Sequence, residues 1–209
     1  CNKPVLDCAA PLRPPLPAPL SPTSAPMDLT ERVSRQFHDS AHATLDTLEF
    51  LAAPIAAAAE AITATLLDSG KILVCGDGAS SADAARFASL LVNGFELERP
   101  SLAALALGGE CAGLARQVQA LGRPADMLVA ICAGPPSTAF IDAIAAAHER
   151  DLRVIALSGE DGDALGEHLG EADFHLHAAA SRRARSHELH LLILHCLCDG
   201  IDAALLGDA

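Results

Sequence analysis

The sequence predicts an α/β fold in which a parallel β-sheet lies between layers of helices. The first observation is an alternation: after Gly70, short apolar runs recur along the chain, and segments of helical length separate most of them. Such alternation is typical of a parallel sheet covered by helices on both faces. The second observation is composition. With 209 residues, 51% hydrophobic and 20% charged, the chain can bury the core of one medium-sized domain.

The chain divides into a predicted N-terminal tail and one predicted domain. Residues 1–26 contain eight of the 13 prolines, which predicts a disordered or polyproline-like tail outside the fold. Residues 27–209 are predicted to form a single domain that begins at Met27. Within it, residues 27–69 should form a helical hairpin, because apolar residues recur every three or four positions and Pro54 can open a second helix. Residues 70–209 should form the α/β core.

Five apolar runs are predicted to be strands, with helices between most of them. A final helix should cover residues 183–206. The predicted strands are residues 72–75, 102–107, 127–132, 152–157 and 174–176, and the other predicted helices are residues 79–93, 114–121, 137–148 and 163–169.

Two loops are predicted to form a binding site. Ligands of open α/β sheets bind beyond the carboxyl ends of the strands, which places residues 75–81 and 132–137 at the site. The first loop reads Gly-Asp-Gly-Ala-Ser-Ser and lacks the pattern of a dinucleotide fingerprint or a P-loop. Its backbone amides and hydroxyls at a helix start suit the phosphate of a small molecule. The alternative is an ordinary strand-to-helix turn with a serine cap. The predicted phosphosugar-binding residues are Gly76, Gly78, Ser80, Ser81 and Ser137.

Charge and cysteine content narrow the class of protein. A net charge of −13 disfavours direct nucleic-acid binding, and the local basic patch is confined to Arg182, Arg183 and Arg185. Seven scattered cysteines without zinc or redox spacing indicate a reduced, cytoplasmic protein. No apolar run approaches the roughly 20 residues that span a bilayer, so no membrane contact is expected.

Several segments, in the same order along the chain, give this sequence a resemblance to a known family. They read "GDGASSADAARFASLLVNGFELERPSLAALAL", "QVQALGRPADMLVAI" and "SRRARSHELHLLILHCLCDGID". From residue 27 to the C-terminus the chain resembles the sugar isomerase (SIS) domain family, in the branch of the phosphoheptose isomerases and the DnaA initiator-associating proteins. The resemblance implies a three-layer, flavodoxin-like α/β/α fold with a five-stranded sheet. It also implies a homotetramer whose sites are shared between subunits.

The chain departs from the isomerases at the positions that carry their chemistry. Where they have a metal-binding His and a catalytic Glu, this sequence has Arg86 and Leu90, which cannot ligate a metal or transfer a proton. Only Ser137 remains of the second serine-rich loop. These departures favour a non-catalytic homotetramer without a cofactor. By resemblance, its partner would be the initiator DnaA, it would promote the start of chromosomal replication, and it would not touch DNA directly.

Two alternatives stay open. The chain could be an active phosphoheptose isomerase that converts sedoheptulose 7-phosphate for lipopolysaccharide synthesis. In that case His195 would be catalytic and zinc would be held by His187 and His195, which lie at the positions of a Gln and a His in the isomerases. The chain could also be a sugar-phosphate sensor.

Overall fold

The computed structural model describes residues 28–108, 113–160, 162–180 and 182–207. The predicted tail, residues 1–26, lies outside the described residues and stays a prediction. The described residues form six α-helices and five strands. In chain order these are α1 Leu29–Leu67, β1 Ile72–Gly76, α2 Ser81–Asn93, β2 Ala104–Ala106, α3 Leu114–Leu121, β3 Met127–Cys132, α4 Thr138–Glu149, β4 Arg153–Ser158, α5 Gly162–Gly166, β5 Phe174–His177 and α6 Arg183–Leu206.

The five strands form one parallel sheet in the order β2-β1-β3-β4-β5. This confirms the predicted five-stranded α/β architecture. The chain runs from β1 outward to β2 and then returns to β3 on the other side of β1. The carboxyl ends of β1 and β3 therefore flank the point where the strand order reverses, which is where open α/β sheets bind ligands.

Alternate residues of the central strands belong to two apolar clusters, one on each face of the sheet. In β3, Met127, Val129 and Ile131 join a cluster with α1, α2 and α6. Leu128 and Ala130 join a second cluster with α3 and α4. Successive side chains of a strand point to opposite faces, so a strand that is apolar throughout must be covered by helices on both sides. The result is the predicted three-layer arrangement.

The N-terminal segment differs from the predicted hairpin. It is a single helix of 39 residues, α1, with Pro54 in its interior. The alanines on either side of Pro54 favour helix, and no glycine or other turn-forming residue precedes the proline to reverse the chain. Pro54 lacks an N–H and clashes with the preceding turn, but its cost of about 3 kcal/mol is smaller than what a long packed helix can recover. The hairpin prediction is therefore wrong, whereas the predicted five-stranded α/β core is confirmed.

The helices α1 and α6 pack against each other on one face of the sheet. Each contains an 18-residue window with a mean hydropathy of 1.7, so both have the length and composition of a membrane span. Buried core helices have the same composition, and both helices contribute residues to the cluster on this face of the sheet. Packing within the fold buries 39% of this window in α1 and 44% in α6.

Candidate functional site

A cavity of about 190 Å³ lies beyond the carboxyl ends of β1 and β3. We call it the switch-point pocket. Its walls come from three places in the sequence: the glycine turn after β1, the loop after β3, and the first turn of α6. Among the residues that line it are Asp77, Gly78, Ser80, Gly134, Arg183 and His187.

The glycine turn holds one serine hydroxyl in a buried position. A side chain on Gly76 would place its Cβ 2.2 Å from the backbone oxygen of Ser80, so the turn can close this tightly only with glycine. Ser80 is 1% exposed, and its hydroxyl has no hydrogen-bond partner among the described residues. A buried polar group without a partner costs free energy. Because Ser80 lines the pocket, a ligand oxygen is the partner that would satisfy it.

The other predicted serines have different surroundings. Ser81 is exposed at the start of α2 and lines a neighbouring cleft with Ala106 and Leu107. The backbone N–H and the hydroxyl of Ser137 both donate to the carboxylate of Asp77, at 2.7 and 2.9 Å. The Ser137 oxygen also accepts from Phe140 N–H at 3.3 Å and caps α4. Ser137 thus links the two loops through its N–H and its hydroxyl. Both groups are engaged by Asp77, so they are not available to a phosphate.

Arg183, the first residue of α6, lies against the loop after β3. A Cβ placed on Gly134 would be 2.8 to 2.9 Å from its guanidinium atoms. The glycine therefore provides the space in which the guanidinium lies. Sequence reasoning treated Arg183 only as part of a basic patch, and the structure brings it into the switch-point pocket.

His187 and Asp83 form a pair at the edge of the same pocket. The His187 Nδ1 lies 3.3 Å from Asp83 Oδ2, and the two side chains are 30% and 18% exposed. When Nδ1–H donates to a carboxylate, Nε2 keeps its lone pair and can accept a proton. Sequence reasoning missed Asp83, which is 104 residues away. For the two pocket residues on α6 the sequence does contain a signal. Arg183 and His187 are four residues apart, which places both on one face of the helix.

Three further histidines lie on α6 and β5, and one of them is completely buried. His190 is fully buried, and burial lowers its pKa below the usual 6.5, with a smaller contribution from His187. On β5, His175 Nε2 and His177 Nδ1 lie 2.7 and 3.0 Å from the hydroxyl of Ser158. Burial and the neighbouring His177 lower the pKa of His175 as well. For His190 and His175 the lowered pKa favours the neutral imidazole, which needs no counter-charge.

Three other residues, Cys132 in the pocket wall and Arg86 and Leu90 on α2, supply no reactive nucleophile or metal ligand. Burial raises the pKa of the Cys132 thiol to about 11, so it stays protonated and a weak nucleophile near neutral pH. Arg86 is exposed on α2, and Leu90 packs against the apolar core. Neither offers a metal ligand or a proton-transfer group.

His187 and His195 do not meet at one metal position within a chain. Eight residues of helix separate them by about 12 Å along the axis of α6. His187 pairs with Asp83, whereas the His195 ring lies 5.3 Å from the ring of Phe95. No group of three or more His, Cys, Asp or Glu side chains in the described part of the chain is placed to hold a metal. The residues of one chain therefore do not fit the zinc site of the isomerase alternative, which stays a prediction.

Comparison with known proteins gives consistent matches along the chain. The model of the SIS domain matches residues 36–159. A phosphoheptose isomerase of Azoarcus sp. (strain BH72) is 52% identical over 194 residues, which cover 87% of this chain and 98% of that protein. The solved phosphoheptose isomerases of Neisseria gonorrhoeae and Francisella tularensis superpose with TM-scores of 0.77 and 0.79, at 39% and 38% identity. Each match covers 84% of this chain and 99% of the other.

These relatives overturn the main functional expectation from the sequence. A non-catalytic, DnaA-associating replication protein is contradicted by their names, which support the isomerase alternative instead. The expectation rested on Arg86 and Leu90, which stand where the isomerases have a metal-binding His and a catalytic Glu, and on the second serine-rich loop, of which only Ser137 remains. The pairing of His187 with Asp83, which brings a proton-accepting group to the pocket, was not visible in the sequence.

Proposed function

The chain belongs to the SIS-domain family, among relatives named phosphoheptose isomerases, and we propose that it is itself an aldose–ketose isomerase acting on a seven-carbon sugar phosphate. The proposed substrate is sedoheptulose 7-phosphate, and the proposed location is the cytoplasm. The observation that carries the proposal is the His187–Asp83 pair at the edge of the switch-point pocket, next to the partnerless hydroxyl of Ser80.

The reaction requires one proton to move between neighbouring carbons. In the ketose, a base removes a proton from C1 and gives an enediol, and the protonated base, which can exchange its proton with solvent, then delivers a proton to C2. The hydroxyl proton of O1 is lost as the C1 carbonyl forms, and O2 gains one, so atoms and charge balance without an oxidant. A positioned imidazole is the usual group for such transfers.

In our proposal, His187 is the proton carrier and Asp83 positions it. The carboxylate fixes the tautomer in which Nδ1 carries the proton and stabilises the imidazolium that forms when Nε2 accepts one. The hydroxyl of Ser80 can donate to the oxygen that becomes negative in the enediolate, which also relieves its own unsatisfied state. Gly78 lines the pocket beside it and leaves room for a ligand to approach the backbone.

The proposal includes assembly as a homotetramer. Support comes from α1, where Leu29, Val33 and Phe37 recur every four residues and are 75%, 55% and 75% exposed. Farther along the same helix, an apolar groove of about 360 Å³ runs between α1 and α6. Contiguous exposed apolar surface of this kind is unfavourable in water and marks an interface.

The activity is tested by incubating the full chain with sedoheptulose 7-phosphate and following the appearance of the aldose by ¹³C NMR. In D₂O, turnover should also exchange the C1 hydrogen of the ketose. His187→Gln keeps a hydrogen-bonding side chain but cannot carry a proton, so the turnover rate should fall by about 10²- to 10⁴-fold with little change in KM.

The matched control is His148→Gln. His148 also pairs with a carboxylate, that of Asp173 at 2.7 Å, but it lies on α4 away from the pocket. Its activity should equal that of the wild type. Binding of the sugar phosphate without turnover or hydrogen exchange in the wild type would contradict the proposed activity and indicate a sensor instead. Equal turnover in the wild type and His187→Gln would remove His187 from the mechanism.

A further inference from the structure

We infer that Arg183 binds the phosphate group of the ligand in the switch-point pocket, supplying a charge where the loop after β3 offers few donors. This inference rests on the proposed function in one respect only, namely that the ligand carries a phosphate. It assigns a pocket role to a residue that the sequence analysis placed only in a basic patch.

The loop after β3 is poor in free hydrogen-bond donors. Pro135 and Pro136 have no backbone N–H. The thiol of Cys132 is directed to the backbone oxygen of Gly134, at 3.0 Å. Ser137 has both its N–H and its hydroxyl engaged by Asp77. These residues offer a phosphate no free donor, so a donor from another element would strengthen its binding at this loop.

Arg183 is the arginine of its cluster that faces this loop. Arg182 donates to the Gln36 side chain at 2.8 Å, and Arg185 pairs with Glu188 at 2.7 Å, so both are held on the α1 side of α6. The guanidinium of Arg183 instead lies over Gly134 and makes no hydrogen bond or ion pair with the described residues. A guanidinium presents several N–H groups in a plane and binds phosphate oxygens two at a time.

The other charges around the pocket leave this role to Arg183. Asp77 carries a negative charge in the pocket wall, but it accepts two hydrogen bonds from Ser137 at the positive N-terminus of α4. Asp83 is paired with His187. Among the lining residues that the structure describes, Arg183 is thus the one permanent positive charge.

Titration calorimetry with inorganic phosphate tests the inference on the full chain. Arg183→Gln should weaken phosphate binding about 10- to 100-fold, the range for losing hydrogen bonds to a charged group. Arg183→Lys keeps the charge without the planar fork and should give an intermediate loss. Arg182→Gln is the matched control, because it removes the same charge from the neighbouring position outside the pocket and should bind phosphate within about twofold of the wild type.

Three outcomes would overturn the inference: wild-type protein that does not bind phosphate, Arg183→Gln that binds it as well as the wild type, or equal losses in the Arg182 and Arg183 variants. The last result would indicate a diffuse effect of net charge. The inference and the proposed activity can fail separately. Phosphate binding that depends on Arg183, without isomerisation, would retain the binding role and reject the activity. Isomerisation by Arg183→Gln with an unchanged KM would retain the proposed activity and reject the binding role of Arg183.

Discussion

At the scale of single residues, the buried histidines make the stability of the protein depend on pH. His190 has no exposed surface, and burial outweighs the opposing effects of the Ser158 backbone and Asp83, so its pKa is lowered. For His175, burial and His177 outweigh the opposing effect of Asp163. Folding therefore favours the neutral imidazole, and an unfolded chain takes up protons that the folded chain does not.

The sign of the effect follows from the direction of these shifts. Below the unfolded pKa of about 6.5, the unfolded state binds more protons, so the free energy of unfolding should fall as pH decreases from 6.5 toward the lowered folded values. Urea unfolding at pH values from 7.5 to 5 measures this slope. His190→Leu removes one titrating group without leaving a cavity of its size, and its slope should be flatter than that of the wild type. Identical slopes would mean that His190 does not titrate differently in the two states.

At the scale of elements, α1 shows how packing overrides a local break. Its N-terminal part is mostly exposed, but residues around and beyond Pro54 pack on α6 and on the sheet, with Ala58 and Ile62 fully buried. A turn at Pro54 would remove one part of the helix from this contact. The continuous helix is kept although Pro54 cannot donate to the preceding turn.

Replacing Pro54 tests whether this helix is continuous. Pro54→Ala restores the missing donor and removes the ring clash, and it should raise the free energy of unfolding by about 1 to 3 kcal/mol. Urea denaturation measures the change. The neighbouring substitution Ala53→Gly should lower the free energy of unfolding by up to about 1 kcal/mol. A loss of stability in Pro54→Ala would instead support a hairpin turn at this position.

At the scale of the whole molecule, the proposed tetramer is tested through the apolar face of α1. Phe37 is 75% exposed in the single chain, and Phe37→Asp would place a charge where a partner subunit is expected. Light scattering should give four times the 21.5 kDa chain mass for the wild type and a smaller species for Phe37→Asp. His38→Asp adds the same charge at the next, already polar position and should leave the mass unchanged. A monomeric wild type would contradict the proposed assembly.

The sequence alone determined the fold of this protein to a large extent. Runs such as residues 127–132 are apolar at every position, and a strand of that kind requires helices on both faces, so the alternation of runs and helices specified the parallel sheet. The glycine turn at Gly76 and Gly78 was also predictable, because tight strand-to-helix turns need glycine wherever the backbone approaches itself. The segments that carry the family resemblance likewise predicted the relatives that were found.

The tertiary structure decided the chemistry of the pocket. His187 and Asp83 are 104 residues apart, and Arg183 and Gly134 come from different elements, so no local pattern links either pair. The course of α1 through Pro54 was decided in the same way, by contacts with α6 that outweigh a local signal. The physical reason is shared: backbone conformation follows from nearby residues, whereas the meeting of side chains depends on how the sheet and its helices pack.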